Sequence, residues 1–348
     1  MFKLILFSML STQRLSLRVM EEFYKSASFK AFSEAEGEAK FNSIRDRIVT
    51  IDPVFFEKIF LMLFDHFNKE LKEQQAVLKV DSTVIAISAK LVDWSLRNSG
   101  KNKNLRHLKL GIALKGSLPC HVKVFTEMMY SNDENALPQT ILSTGTAKDG
   151  IVTFDRGVQS RKAFQDLNKE NILYVGRLNT KANIKIIKSN PVLASNIQGT
   201  IKITEDIICQ LKDATHRWTK ETFRVIKGVI IETGNPILFI TNCQDLSAHE
   251  IADIYKQRWE IEVFIKFLKQ NLNLSHIVSR DENGMKVMIY MTLILAVLII
   301  VYKKKNKIGS YKIAKLRLEI ELDNLLIKEI AILCGGNPEN ARHLWNSS

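Results

Sequence analysis

The sequence predicts an α/β protein: a mixed β-sheet flanked by helices, preceded by a helical N-terminal region and carrying a β-rich insertion. Residues 1–72 keep a helical period, and short β-prone runs alternate with helical segments from residue 76. A strongly periodic helical stretch, Ile251 to Leu272, follows the last strand signal. With 348 residues and 46% hydrophobic content, the chain can bury a large core as one extended domain or as two.

Phe2 to Leu10 is apolar but lacks a basic leader and a small-residue cleavage site, so it reads as helix and not as a signal peptide. Apolar residues follow Met1 with no cap, which leads one to expect a preceding segment that is missing or begins elsewhere. Ser11-Thr12 marks a helix start near Gln13, and Pro53 starts the helix Val54 to Leu71. Three β-prone runs follow at 76–87, 107–115 and 120–129, the last two joined by a hairpin turn at Gly116-Ser117 with Pro119. The polar loop Asn98 to Asn104 between the first two runs offers Lys101 and Lys103, either to phosphate or simply to solvent.

Leu137 to Ser143 reads as helix, Ile151 to Phe154 as strand, Ser160 to Leu167 as helix and Ile172 to Val175 as strand, giving the order βββαβαβ. Residues 177–233 alternate β-prone runs with polar turns and read as the insertion, before Pro236 to Thr241 returns to a buried strand. Val287 to Val301 is continuously apolar between lysines, yet its 15 residues fall short of a bilayer span, so it is expected to be a buried core helix.

Lys plus Arg number 50 against 37 Asp plus Glu, a formal charge of +13 spread along the chain. That balance points to a polyanionic partner, nucleic acid ahead of a membrane surface, although a basic soluble protein has the same composition. Cys120, Cys209, Cys243 and Cys334 form no CxxC pair and the seven histidines no HExxH, which argues against a zinc site or a disulfide framework and suits a reducing cytoplasm.

In Ile251 to Leu272, residues Ile251, Ile254, Ile261, Ile265, Leu268 and Leu272 form one apolar stripe at about 100° per residue. Tyr255, Arg258, Glu262 and Lys269 share an arc of roughly 60° along its margin. Two readings stand at this point: ordinary i,i+4 lacing of a surface helix, with Lys266 also paired to Glu262, or a chemical site aimed from the edge of the core. Asp81 interrupts an apolar strand and Asp155 ends another; alone each is a turn former or cap. In a βββαβαβ sheet, however, the first and fourth strands lie side by side, and a following helix can bring Glu262 to both aspartates. Three close carboxylates repel unless cations neutralise them, and open oxygen sites suit Mg²⁺, with Mn²⁺ able to substitute. Two such ions serve phosphodiester chemistry, with Arg258 and Lys269 placed to hold phosphate oxygens and Tyr255 to bond phosphate or stack on a base.

Tyr255, Arg258, Glu262 and Lys269 match the spacing Y-x2-R-x3-E-x6-K and so resemble the signature of DDE transposases of the insertion-sequence-four family. Asp81 in VDST and Asp155 in FDRG resemble that family's first two acidic residues, and the insertion lies in its usual place before the Glu. The resemblance covers about residues 40 to 300. It implies an RNase H-like core with Asp81, Asp155 and Glu262 as catalytic metal ligands, and Tyr255, Arg258, Lys269, Lys266 and Arg156 as DNA contacts.

It also implies Mg²⁺-dependent cutting at terminal inverted repeats of double-stranded DNA, joining of the freed 3′-hydroxyl to target DNA, and a homodimer acting in the cytoplasm at the nucleoid, with no membrane role. Trp218 is the candidate to hold a flipped base, or is simply an aromatic of a β-hairpin. The expected divisions are a helical, DNA-binding region at 1–72, the core in two parts at 73–176 and 236–302, the insertion at 177–235, and a helical C-terminal region at 303–348. The rival expectations are an RNase H-like nuclease without strand transfer, an inactive DNA-binding relic, and a basic membrane-associated protein built on Val287 to Val301.

Overall fold

The computed structural model describes residues 1–10, 14–33, 36–71, 77–87, 96–97, 106–145, 147–192, 197–198, 200–333 and 335. Described residues up to Leu71 and from Lys266 onward form one compact unit; those between form another.

The first unit opens with α1 (Phe2–Leu10), α2 (Leu17–Lys25), α3 (Ala27–Ser33), α4 (Phe41–Thr50) and α5 (Pro53–Glu70). Ser11, Thr12 and Gln13 lie outside the described residues, and the helix expected from Gln13 begins at Leu17, where the Ser16 hydroxyl accepts from the Val19 N–H. Pro53 stands at the start of α5, its missing N–H harmless there, behind an Asp52 cap that accepts from Val54 N–H at 2.9 Å.

The second unit is built on a sheet. In chain order its strands are β1 (Val77–Ile87), β2 (Leu96–Arg97), β3 (Arg106–Lys115), β4 (Leu118–Phe125), β5 (Ile151–Phe154), β6 (Leu173–Leu178), β7 (Ile184–Asn190), β8 (Ile197–Gln198), β9 (Ile201–Leu211), β10 (Phe223–Ile230) and β11 (Pro236–Thr241). Strands β4, β3 and β1 are antiparallel, β5 and β6 run parallel to β1, and β11 closes antiparallel on β6. This is the RNase H-like arrangement. The insertion does not form a separate layer: β10, β9 and β7 continue the same sheet beyond β11, with β10 pairing to the core strand β11 and β7 at the far edge. The loop holding Lys101 and Lys103 lies outside the described residues.

Helices α6 (Asp133–Ser143), α7 (Arg161–Lys169), α8 (Ala248–Gln257) and the start of α9 (Trp259–Asn271) complete this unit. Successive strand residues point to opposite faces. On β6, Tyr174 stacks with Phe164 of α7, whereas Val175 packs with Ile251, Ala252 and Tyr255 of α8, so the two helices cover opposite faces of the sheet. Gly111 of β3 lets α6 lie directly on the strand, since a Cβ there would sit 1.8 Å from the Thr140 hydroxyl.

The stretch expected as one helix from Ile251 to Leu272 is two. At Arg258 the ladder tightens to i→i−3 bonds, Arg258 N–H to Tyr255 O at 3.0 Å and Ile261 N–H to Arg258 O at 3.1 Å. Ser247 starts α8 with a reciprocal capping box to Glu250.

Back in the first unit, α10 (Glu282–Lys305) and α11 (Tyr311–Leu333) follow. The apolar run at 287–301 is extended at both ends, so α10 has 24 residues and by length and composition could cross a membrane. It is a core helix here: 83% of its most apolar window is buried, packed by α5, α11, α4 and α1. Its start is fixed by Asn283, whose amide donates to the Val49 and Ile51 carbonyls at 2.9 and 2.6 Å.

Candidate active site

In the β1–β5 pairing, Val77 stands opposite Ile151, an offset of 74 positions, and Asp81 and Asp155 are also 74 apart. Continuing the register one pleat beyond the last paired residues brings the two aspartates level at the carboxyl end of β5, where open α/β sheets place their ligands. Asp155 turns its Oδ1 back to accept the Gly157 N–H at 2.7 Å, and Asp81 Oδ1 accepts the Ser82 N–H at 2.7 Å. Gly157 is needed for this crowding, because a Cβ there would lie 2.6 Å from Asp133 Cβ and 2.8 Å from Asp155 Oδ1.

Burial pushes the Asp81 carboxyl up to about 7. The Ser82 N–H opposes that, the Asp155 charge adds to it, Arg258 opposes it, and the Asp133 charge adds to it again. Asp133 was not expected from the sequence, because the helix there reads as starting at Leu137 when it starts at Asp133 behind an Asn132 cap. Its carboxylate is held by the Ser82 hydroxyl and by the buried Lys109 ammonium at 2.7 Å.

Tyr255 is buried against Phe239, ring centroids 5.0 Å apart, with the Arg258 guanidinium 5.4 Å over its ring. That packing leaves no face for a base, so the stacking role expected of Tyr255 is not open to it. Burial raises its phenol, while the Arg258 and Arg177 charges act the other way. Arg258 Nη2 donates to Glu262 Oε1 at 2.6 Å, and its Nε is buried without a partner. The i,i+4 pairing and the aimed arc are thus the same contact: Arg258 reaches Glu262 along the helix and acts electrostatically on Asp81 across to β1.

The structure brings Asp81, Asp155, Arg258 and Tyr255 together and turns Glu262 to Arg258. Among the described residues no three Asp, Glu, His or Cys side chains close into a metal-binding group. The donors nonetheless fit a hard divalent cation. Asp81 and Asp155 offer carboxylate oxygens, and a cation would offset the cost of charging Asp81, which burial and then the Asp155 charge impose. Glu262 is turned to the Arg258 guanidinium instead. Arg156 is exposed beside Asp155, Lys266 is exposed and Lys269 half-buried on the far half of α9, and Trp218 is exposed on the β9–β10 connection with the Lys212 ammonium 5.2 Å over its ring.

Two residues before Asp81, the fully buried Lys79 ammonium meets Glu260 at 2.7 Å and donates to Gly116 O at 2.8 Å. The pair ties the start of α9 to β1, and only the period-2 kinship of Lys79 with Asp81 hinted at it. Glu260→Ala is expected to destabilise the chain by about 1–3 kcal/mol, the half-exposed partner limiting the loss, whereas Lys79→Met is near neutral because no buried charge is left behind. Urea titration of both variants distinguishes the two outcomes.

The family model described as a transposase DDE domain matches residues 72–298, well over half of the chain. The chain belongs to that family. DDE transposases cleave DNA and transfer strands with divalent metal ions, and they are soluble proteins that act on DNA. Among relatives, a putative transposase for insertion sequence element IS4SA of Synechocystis sp. (strain ATCC 27184 / PCC 6803 / Kazusa) is 27% identical over 268 residues, 75% of this chain and 71% of the relative. A probable transposase for insertion sequence element IS5377 of Geobacillus stearothermophilus is 27% identical over 235 residues, 67% of this chain and 58% of the relative. A piggyBac transposase synaptic complex with hairpin DNA overlays 94% of this DDE transposase and 71% of its own chain at 12% identity and a TM-score of 0.47.

Proposed function

We propose that this DDE transposase is of the insertion-sequence-four type, binds terminal inverted repeats of its element, and performs cut-and-paste transposition with Mg²⁺ or Mn²⁺. The level placement of Asp81 and Asp155, with Arg258 linking Tyr255 and Glu262 beside them, supports this reading most directly. A divalent ion bound there supplies the positive charge that activates the attacking oxygen and stabilises the leaving one.

Asp81, Asp155 and Glu262 hold it in this proposal. Arg258, freed from Glu262, offers its Nη donors to the scissile phosphate, with Tyr255 packed beneath to fix the guanidinium plane. Lys266, Lys269 and Arg156 hold flanking phosphates, and Trp218 receives a displaced base. The helical region 1–72 contributes DNA binding, 73–176 and 236–302 the core, 177–235 the insertion and 303–348 the C-terminal helices. The working form is a homodimer on paired ends, at the nucleoid.

The test is a duplex carrying the element's ends, incubated with protein, Mg²⁺ and a target plasmid. Nicking at the 3′ end and joined products are expected, both abolished by Glu262→Gln with DNA binding retained. Hydrolysis without joining would instead mark a nuclease, and binding without hydrolysis an inactive relic.

A further inference from the structure

Away from the aspartates, a cavity of about 640 Å³ opens between the first turn of α7, the β6–β7 turn and the turn after β9. Its two acids are already satisfied. Glu134 accepts the Gln159 N–H with both oxygens, at 3.2 and 3.0 Å, and Asp213 Oδ1 accepts from Thr215 N–H, the Thr215 hydroxyl and Arg217 N–H at 2.8, 2.7 and 3.0 Å.

Its cations are not satisfied. Lys162 and Lys181 have no ion pair or side-chain hydrogen bond among the described residues, and Lys212 makes only its contact over the Trp218 ring. Arg161 spends Nε on the Lys212 carbonyl at 3.1 Å and Nη1 on the Gln159 carbonyl, leaving its other donors to the cavity. Helix α7 also begins against its own dipole, with Arg161 and Lys162 in the first turn and no acid there. Like charge at a helix N-terminus is unfavourable, and an anion beside it offsets both the dipole and the cations.

We infer that this cavity is a second DNA-backbone site, in which Arg161, Lys162, Lys181 and Lys212 hold phosphates of the same DNA whose scissile bond lies at Asp155; the inference rests on the transposase reading. Arg161 is six residues from Asp155, at most about 20 Å of chain, or roughly six base pairs of rise, so one short DNA segment reaches both. Backbone contacts carry no sequence information, so the cavity anchors DNA of any sequence and leaves recognition to other surfaces.

The full chain and its Lys162→Ala/Lys181→Ala variant are compared by DNA binding from about 50 to 200 mM salt. The variant is expected to keep its melting temperature, both lysines being exposed, while the slope of log affinity against log salt falls by roughly 2. The loss is expected to be equal on element ends and on unrelated duplex. Lys148→Ala, which removes an exposed lysine paired to Glu170, should leave the slope unchanged. An unchanged slope in the double variant overturns the cavity while leaving the transposase reading intact. Failure of the unaltered chain to bind DNA overturns both. If inorganic phosphate raises the melting temperature of the unaltered chain and the double variant still shows the parental DNA slope, the cavity is a small-anion site and the inference is wrong.

Discussion

Asp81→Asn is expected to abolish metal-dependent cleavage and at the same time to stabilise the metal-free fold above neutral pH. Loss of activity by more than about a hundredfold follows if Asp81 is a ligand, since groups one step further from a metal are already worth ten- to a hundredfold. The gain in stability follows from burial. The Asp81 carboxyl is raised from 3.8 to about 7, so the folded chain holds a proton that the unfolded chain releases. Its contribution is full below about pH 4 and is lost as pH rises through about 7, which makes the charged carboxylate a liability at pH 8.

Asn does not titrate and keeps an oxygen for the Ser82 N–H, so the stability gap between variant and parent opens across that window. It should level off at a value on the order of 1–3 kcal/mol. A divalent cation supplies the compensation the parent lacks, so Mg²⁺ should raise the parent's melting temperature more at pH 8 than at pH 6 and the variant's little at either. A variant less stable than its parent at pH 8 without metal would count against this account of the site.

The second large effect is structural. Asp206 of β9 and Arg224 of β10 form a two-pronged pair at 2.7 and 3.1 Å, both side chains buried, and Arg224 Nη1 continues to the Cys243 and Leu246 carbonyls at 2.7 Å each. Those carbonyls lie in the connection from β11 to the Ser247 cap of α8, so the pair fastens the insertion strands to the loop that launches the Tyr255 helix. Asp206→Ala leaves a buried guanidinium short of its counter-ion and is expected to cost about 3–5 kcal/mol, a fall in melting temperature on the order of 10 °C. Adding Arg224→Met should recover part of that loss, because the stranded charge goes with it; thermal melts of the single and double variants measure both.

Where the sequence was legible, the signal was local. Alternation marked β1 around Asp81, an apolar run marked β5 before Asp155, and an i,i+4 interval brought Arg258 and Glu262 together. The break at Arg258 gave no warning, because Gln257, Arg258 and Trp259 all suit a helix and the tightening shows only in backbone hydrogen bonds. Tyr255 read as the margin of an apolar stripe and is instead part of the core, because Phe239 of β11 covers it. Asp133 was hidden because the helix reads as starting at Leu137, with Pro138 in its first turn, whereas α6 starts at Asp133 behind the Asn132 cap and carries Pro138 inside it.

The residues alone determined most element types, the apolar stripe of the last core helices and the Tyr-Arg-Glu-Lys spacing, consequences of helical and strand periods, whereas the β1–β5 register is what turns the 74-position spacing of Asp81 and Asp155 into a pairing. Only the tertiary structure decided that Glu262 rests on Arg258, that Asp133 and Lys109 crowd the site, and that Lys79 pins Glu260 from 181 positions away. Those depend on how deeply each group is removed from water and on which charges of other elements then lie nearest, and no local period encodes either.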